Sequence, residues 1–205
     1  MVKRLGIERE LSRIGEMAPK GYFLKLHVHH AIALYAATTY PPEWKAHYST
    51  HAYQLHDPLF VWCYAQEGVI RWRDLPRATP DAARVLDDAA AHGLRFGLCC
   101  SVGPILSRSV IAAARGKSEF TDDEMTEFAF LCRRIHKVTE PPRSLTPAQV
   151  EALRRIEAGE RHEAAAESLG ISVSAFKARL SSARDKLMCG TTADTIEKAR
   201  EYGLM

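Results

Sequence analysis

The chain has no apolar run approaching the roughly 18 consecutive residues that a membrane span requires. It also lacks an apolar segment at its start. MVKRLGIERELSRIGEM carries Glu8 and Glu10 early, so no secretory leader and no membrane partner are expected, and the expected location is cytoplasmic. Cysteine is scarce and unpatterned. The five residues Cys63, Cys99, Cys100, Cys132 and Cys189 are odd in number, lack CxxC spacing and lie in or beside apolar runs. That excludes a disulfide framework, makes a structural zinc site an unattractive reading, and suggests small buried hydrophobes in a reducing compartment. Strong charge of either sign is absent too: the net charge is +3 and the pI about 8.6. Such a balance permits nucleic-acid binding without demanding it, so the placement of the charges matters more than their sum. There is no internal repeat and no low-complexity tract.

What is present fits one medium domain and a small one. The 205 residues are 46% hydrophobic and 26% charged, which is ordinary for a globular protein. Residues 22–38, YFLKLHVHHAIALYAAT, alternate apolar and polar around His29-His30 and predict a hairpin. Pro41-Pro42 fits the start of a helix; PLFVWCYAQ continues helically to Gln66, and VIRW at 69–72 predicts a short edge strand. Thr79-Pro80 caps and starts a helix that stops at Gly93. FGLCCSVG (96–103) and SVIAAA (109–114) predict two further strands. Thr121 and Glu124 form a capping box for a helix marked on one side by Met125, Phe128, Phe130, Leu131 and Ile135. This order predicts an α+β fold, an α/β/α sandwich over residues 1–138. TEPPRSL, 139–145, with its adjacent prolines, predicts a linker.

From 146 to 205 the pattern is helical throughout. Thr146 and Gln149 make a second capping box for a helix to about Ala158, HEAAAESL a short one ending at Gly170, and Ser172 caps a third over Val173–Leu187. A fourth helix is expected over Ala193–Glu201. Helix, tight turn at Gly170, helix is the helix-turn-helix pattern, with Ala165 and Ala166 allowing close approach and Leu169, Ile171, Phe176 and Leu180 supplying core. From residue 145 onward the chain carries 9 Lys/Arg and 9 Asp/Glu, yet Lys177, Arg179, Arg184 and Lys186 crowd the third helix against Asp185 alone. A local cationic face is what phosphate neutralisation requires, although a solvated charged face has the same composition.

LTPAQVEALRRIEAG, AAAESLGISVSAFKARLSSARDKL and EKAREYGLM resemble the DNA-binding domain of LuxR-type transcription regulators across residues 145–205. The resemblance implies that Ser174, Lys177, Ala178 and Ser181 sit on the major-groove side of the recognition helix, with Arg179 and Arg184 as phosphate contacts. Gln149 stands where glutamate is usual, Ala164-Ala165 where Glu-Ile is common and Ala175-Phe176 where Thr-Val is common. A sigma-factor helix-turn-helix is also similar to SVSAFKARLSSARDKL, but it ends near that Lys-Leu, whereas here another amphipathic helix follows.

Residues 20–138 resemble the acyl-homoserine-lactone-binding domains of LuxR-type quorum sensors, through Tyr40, Trp44, Tyr48, Asp57-Pro58, Trp72 and Gly97. Those residue types suit the ligand that the resemblance implies. Trp44 offers an N–H to the lactone carbonyl, an ionised Asp57 accepts from the amide N–H, and Tyr40 and Tyr48 donate to the amide carbonyl or pack the acyl chain. Trp72 covers the ring. Where the family often has Ser or Thr on the last inner strand, this chain has Ala112, which implies an unsubstituted, branched or aryl acyl group. Taken singly, each aromatic is better explained as core; as a spaced set beside a DNA-binding domain, they favour a pocket.

The resemblance thus implies a dimeric, non-enzymatic quorum-sensing transcription regulator. Its partners would be double-stranded DNA at an inverted repeat, an acyl-homoserine lactone as signal rather than a cofactor, and RNA polymerase. The helix at 122–138 and the C-terminal helix are candidate dimer surfaces. Two other functions stay open: a ligand-independent solo regulator or an anti-activator trapping another LuxR-type protein in heterodimers, and a metal enzyme built on Glu43, His47 and His51. The second lacks HExxH and a general base. Those histidines, like His27, His29 and His30, are expected to face solvent.

Overall fold

The structure, a computed structural model, describes residues 6–29, 32–140 and 145–205. It divides into two compact units, Met1–Glu140 and Pro141–Met205. His30 of the expected bend and residues 141–144 of the expected linker lie outside the described residues.

The first unit is built on five strands: β1 Tyr22–His29, β2 Ile32–Thr38, β3 Gly68–Arg71, β4 Phe96–Val102 and β5 Arg108–Arg115. All pairings are antiparallel and the spatial order is β2-β1-β5-β4-β3. The period-2 alternation of strand side chains divides the sheet into two faces. Phe23, Ala112 and Cys99 align on one; Leu24, Ile111 and Cys100 align on the other.

Helices cover both faces. Helix α1 (Glu8–Met17) and α5 (Asp122–Val138) pack together on the Leu24 side, burying Leu11, Ile14, Phe128, Leu131, Cys132 and Ile135. Arg13 donates to Glu127 at 2.6 Å, and Arg134 to the buried Glu10, tying the two helices. Helices α2 (Pro42–Thr50), α3 (Pro58–Ala65) and α4 (Pro80–Ala91) cover the other face, sharing a core with Cys99, Val110, Ala112 and Ala114. Their starts are set by proline in the first turn, and by Asp57 and Thr79 accepting N–H bonds from Leu59 and Ala82.

Four sequence expectations are corrected. Trp72 leaves the strand and opens a 3-10 turn, Trp72–Asp74. Phe130 is 59% exposed: two residues on from Phe128 it lies about 200° round the helix, away from the buried stripe. Thr139, expected in the linker, is the C-cap of α5 and buried. His27, expected in solvent, is fully buried. A β-bulge between Lys25 and Val28 breaks the alternation there, and His27 takes φ +50°, which turns its ring under the sheet. Its Nδ1 lies 2.9 Å from Ser107 Oγ and its Nε2 3.1 Å from Thr139 Oγ1, and its ring lies 4.4 Å from that of His136. Burial, reinforced by His136, lowers the His27 pKa to about 4.

The second unit is four helices: α6 Pro147–Glu157, α7 His162–Ser168, α8 Val173–Lys186 and α9 Thr192–Glu201. Thr146 and Gln149 close the capping box at α6. Between α7 and α8 the chain turns at Gly170, whose φ of +64° is a left-handed conformation that glycine adopts without steric cost. Ala165, Ala166, Phe176, Leu180, Ala183, Leu187 and Ala199 share one core.

Candidate functional site

Between the sheet and α2, α3 and α4 lies a cavity of about 300 Å³. It is lined by six of the seven residues singled out for ligand contact, Tyr40, Trp44, Tyr48, Asp57, Trp72 and Ala112. The seventh, Gly97, works from behind. A Cβ there would lie 2.1 Å from Trp72 Cδ2, so only glycine lets the indole lie flat on the β4 backbone.

Helix α2 places Trp44 and Tyr48 one turn apart, with ring centroids 5.6 Å apart in edge-to-face contact. Asp57 closes the same wall. Its Oδ2 accepts from the Tyr48 hydroxyl at 2.9 Å and its Oδ1 from the Leu59 N–H at 2.9 Å, so one carboxylate both caps α3 and fixes Tyr48. Burial raises the Asp57 pKa, while those two hydrogen bonds pull it back down. Tyr48 has therefore already spent its proton within the protein.

Two donors have not. The Tyr40 hydroxyl and the Trp72 Nε1–H are buried at the cavity wall and have no hydrogen-bond partner among the described residues. An unsatisfied buried polar group costs about 1–3 kcal/mol. Two of them beside one cavity are hydrogen-bonding capacity that an acceptor-bearing molecule within it could take up.

The histidines are only in part on the solvent side. His51 and Glu43 are exposed, but His47 is half-buried, stacks on Trp44 and brings its Nε2 within 2.7 Å of Asp88 Oδ2. Tyr53 donates to the same oxygen at 2.5 Å, and the bonds from Tyr53 and His47 lower the Asp88 pKa. His47 thus braces α2 on α4 behind the cavity wall. Among the described residues no group of three His, Cys, Asp or Glu side chains is placed to hold a metal ion.

The profile of the family described as "Autoinducer binding domain" matches residues 22–137, more than half of the chain. The chain belongs to that family. The matched segment contains every wall of the cavity, so the autoinducer-binding domain and the cavity-bearing fold coincide. Among solved structures, Escherichia coli SdiA is similar over 100% of this chain and 95% of its own, at 19% identity and a TM-score of 0.53. SdiA in complex with octanoyl-rac-glycerol is similar over 96% of this chain and 88% of its own, at 18% identity and a TM-score of 0.50. At such identities the likeness shows the fold alone. No curated protein matches the chain in sequence.

Several lining residues of the autoinducer-binding domain were not singled out in the sequence. Phe23 and Lys25 stand two apart on β1, and Val85, Leu86 and Ala89 form a stripe on α4. The strand alternation and the i, i+4 spacing of Val85 and Ala89 carry that signal, but nothing in them separates a cavity from ordinary core.

In the second unit, α8 buries Phe176, Leu180 and Ala183. Ser174, Lys177, Ala178 and Ser181 share the spacing i, i+3, i+4, i+7 and so line up on another side of α8, with Ser174, Lys177 and Ala178 exposed. Arg179 and Arg184 are half-buried, and Arg184 reaches Ser181 Oγ at 3.5 Å. Lys186, by contrast, donates to Gln149 Oε1 at 3.1 Å, while Gln149 Nε2 donates to Ser182 Oγ at 2.9 Å, pinning α6 to α8.

Proposed function

We propose that this protein is a quorum-sensing transcription regulator that binds an acyl-homoserine lactone in the first unit and DNA through α8 of the second. The observation that carries the ligand reading is the pair of unpartnered buried donors, Tyr40 OH and Trp72 Nε1–H, on the wall of a mostly apolar cavity. A homoserine lactone supplies ring and amide carbonyls for two such donors, an amide N–H for Asp57, and an acyl chain for Phe60, Leu86 and Ala89. The DNA reading rests on the aligned Ser174, Lys177, Ala178 and Ser181 of α8, flanked by Arg179 and Arg184, a helix-turn-helix arrangement that reads a major groove. Phe130 and Val138, exposed on α5, suit a dimer surface, and two-fold symmetry would then call for an inverted-repeat site.

Ligand that binds the folded state alone stabilises it by mass action. Protein expressed with a library of acyl-homoserine lactones should yield one bound lactone on extraction and mass spectrometry, and should melt higher than protein expressed without signal. Recovery of no lactone, with an unchanged melting temperature, would overturn the ligand reading. Gel shift of genomic fragments by purified protein tests the second half: failure of every fragment to shift, with or without signal, would instead support an anti-activator.

A further inference from the structure

The cavity holds a feature that neither a lactone ring nor a plain acyl chain uses. Lys25 stands on the inward face of β1, a strand with neighbours on both sides, where its register partners are Val110 on β5 and Ala36 on β2. An inward position on a non-edge strand is normally apolar, because an ammonium group there loses hydration. Lys25 is only partly exposed, and its Nζ lies 5.0 Å from the centre of the Phe60 ring and 5.9 Å from that of Phe23, both cavity residues. Lys45, exposed on α2, lines the same cavity one turn before Ser49. Neither lysine has a carboxylate partner among the described residues. The carboxylate on the cavity wall, Asp57, is engaged by Tyr48 and the Leu59 N–H. The cavity therefore presents two cations without a counter-charge beside two neutral donors without acceptors.

The geometry points to a signal whose acyl group carries an anionic oxygen, a carboxylate at or near its end, held by Lys25 within the cavity and by Lys45 at its edge. This rests on the lactone reading and narrows it. The rings of Phe23 and Phe60 hold the Lys25 ammonium in place through cation–π contact, and a carboxylate would complete a charge-assisted hydrogen bond of the stronger kind. The competing account is that Lys25 merely extends its stem along the two rings toward water. The two accounts differ in what they predict for an anion.

Three probes of equal chain length separate them in calorimetric titrations of the purified full chain. These are N-octanoyl-homoserine lactone, its N-(7-carboxyheptanoyl) analogue, and the methyl ester of that analogue. The carboxylate is expected to bind about tenfold more tightly than its ester at low salt. In Lys25→Met most of the preference should be lost, leaving the smaller share that Lys45 supplies; in Lys25→Arg it should persist, and in Lys45→Met it should shrink by a smaller factor. The melting temperatures of the ligand-free variants check that each is folded. A carboxylate that binds no better than its ester, or a preference undiminished in Lys25→Met, overturns the inference while leaving the lactone reading intact. If no lactone probe binds, the lactone reading fails, and the mono-amide of octanedioic acid decides the anion separately. Its binding, lost in Lys25→Met, would uphold the anion site; its failure to bind would sink that site as well.

Discussion

The two faces of the central sheet differ in how much hydrogen-bonding capacity their buried polar groups leave unused. On the face covered by α1 and α5 they are tied to one another: Glu10 to Arg134, His27 to Ser107 and Thr139, and His136 to Ser109 at 2.8 Å. Between these groups the packing is apolar, with Leu24, Leu26, Phe128 and Ile135 essentially inaccessible. On the face covered by α2, α3 and α4, Tyr40 and Trp72 keep donors without partners, and the space beside them is empty enough to form a cavity. Both faces use the same strands, often adjacent residues of one strand. Both faces bury an apolar core, but the second leaves room and unused hydrogen-bonding capacity within it.

That contrast can be broken most forcefully from the packed side. Phe128 is fully buried on α5, and Phe128→Ala should destabilise the ligand-free protein by about 3–5 kcal/mol in urea unfolding. A cost below about 1 kcal/mol would mean that the packing at α5 is not tight.

Acid should act on His27 and Asp57 with opposite sign. The His27 pKa falls from 6.5 to about 4 on folding, so above pH 6.5 both states are neutral and stability is at its full value. Between pH 6.5 and about 4 the unfolded chain takes up a proton that the folded one refuses, and stability drops by up to about 3 kcal/mol. Asp57, whose pKa is raised, destabilises the fold when ionised, and that cost is relieved as the pH falls through its folded pKa. Thermal melts across this range should show a net loss in the wild type that flattens in His27→Asn, since asparagine tolerates the left-handed backbone at this position. An unchanged slope in the variant would move the acid sensitivity elsewhere.

The smallest effect on stability belongs to the cavity face. Tyr40→Phe removes an unpartnered donor and keeps the ring, so the ligand-free protein should hold its stability or gain about 1 kcal/mol; Trp72→Phe removes the other donor together with part of a buried indole, and should cost about 1–2 kcal/mol. Affinity for a lactone should nevertheless fall about tenfold in each. Loss of stability without loss of affinity would make both residues ordinary core.

Much of this was legible in the sequence, for identifiable reasons. The capping boxes at Thr121 and Thr146, the prolines opening α2 and α4, and the alternation at the start of β1 all depend on contacts within a few residues, and those elements form where the local chemistry predicts. The aromatic and acidic residues singled out in the cavity were readable through their resemblance to acyl-homoserine-lactone-binding domains. What was not readable depends on distant partners. His27 is compatible with solvent or interior until a bulge turns it toward Thr139, 112 residues away. That Tyr48 is spent on Asp57 while Tyr40 is unpartnered follows from three-dimensional placement that two similar side chains cannot announce. Lys25 gives no such signal in the sequence, because a lysine in an alternating strand is ordinarily its wet side, and only the register with Val110 shows otherwise.

Gly97 has a consequence for how such a receptor changes its specificity. Trp72 lies between Gly97 and the cavity, so the position of the indole, and with it the room on the other side, is set by a residue that no ligand would touch. The cavity is in effect adjustable from behind: a single methyl group added at residue 97 would push a tryptophan toward the space where a signal binds. A lineage could thereby trade a larger molecule for a smaller one, or close the receptor altogether, without altering any contact residue. Variation at such a hidden position would leave the pocket sequence intact and the message it accepts different.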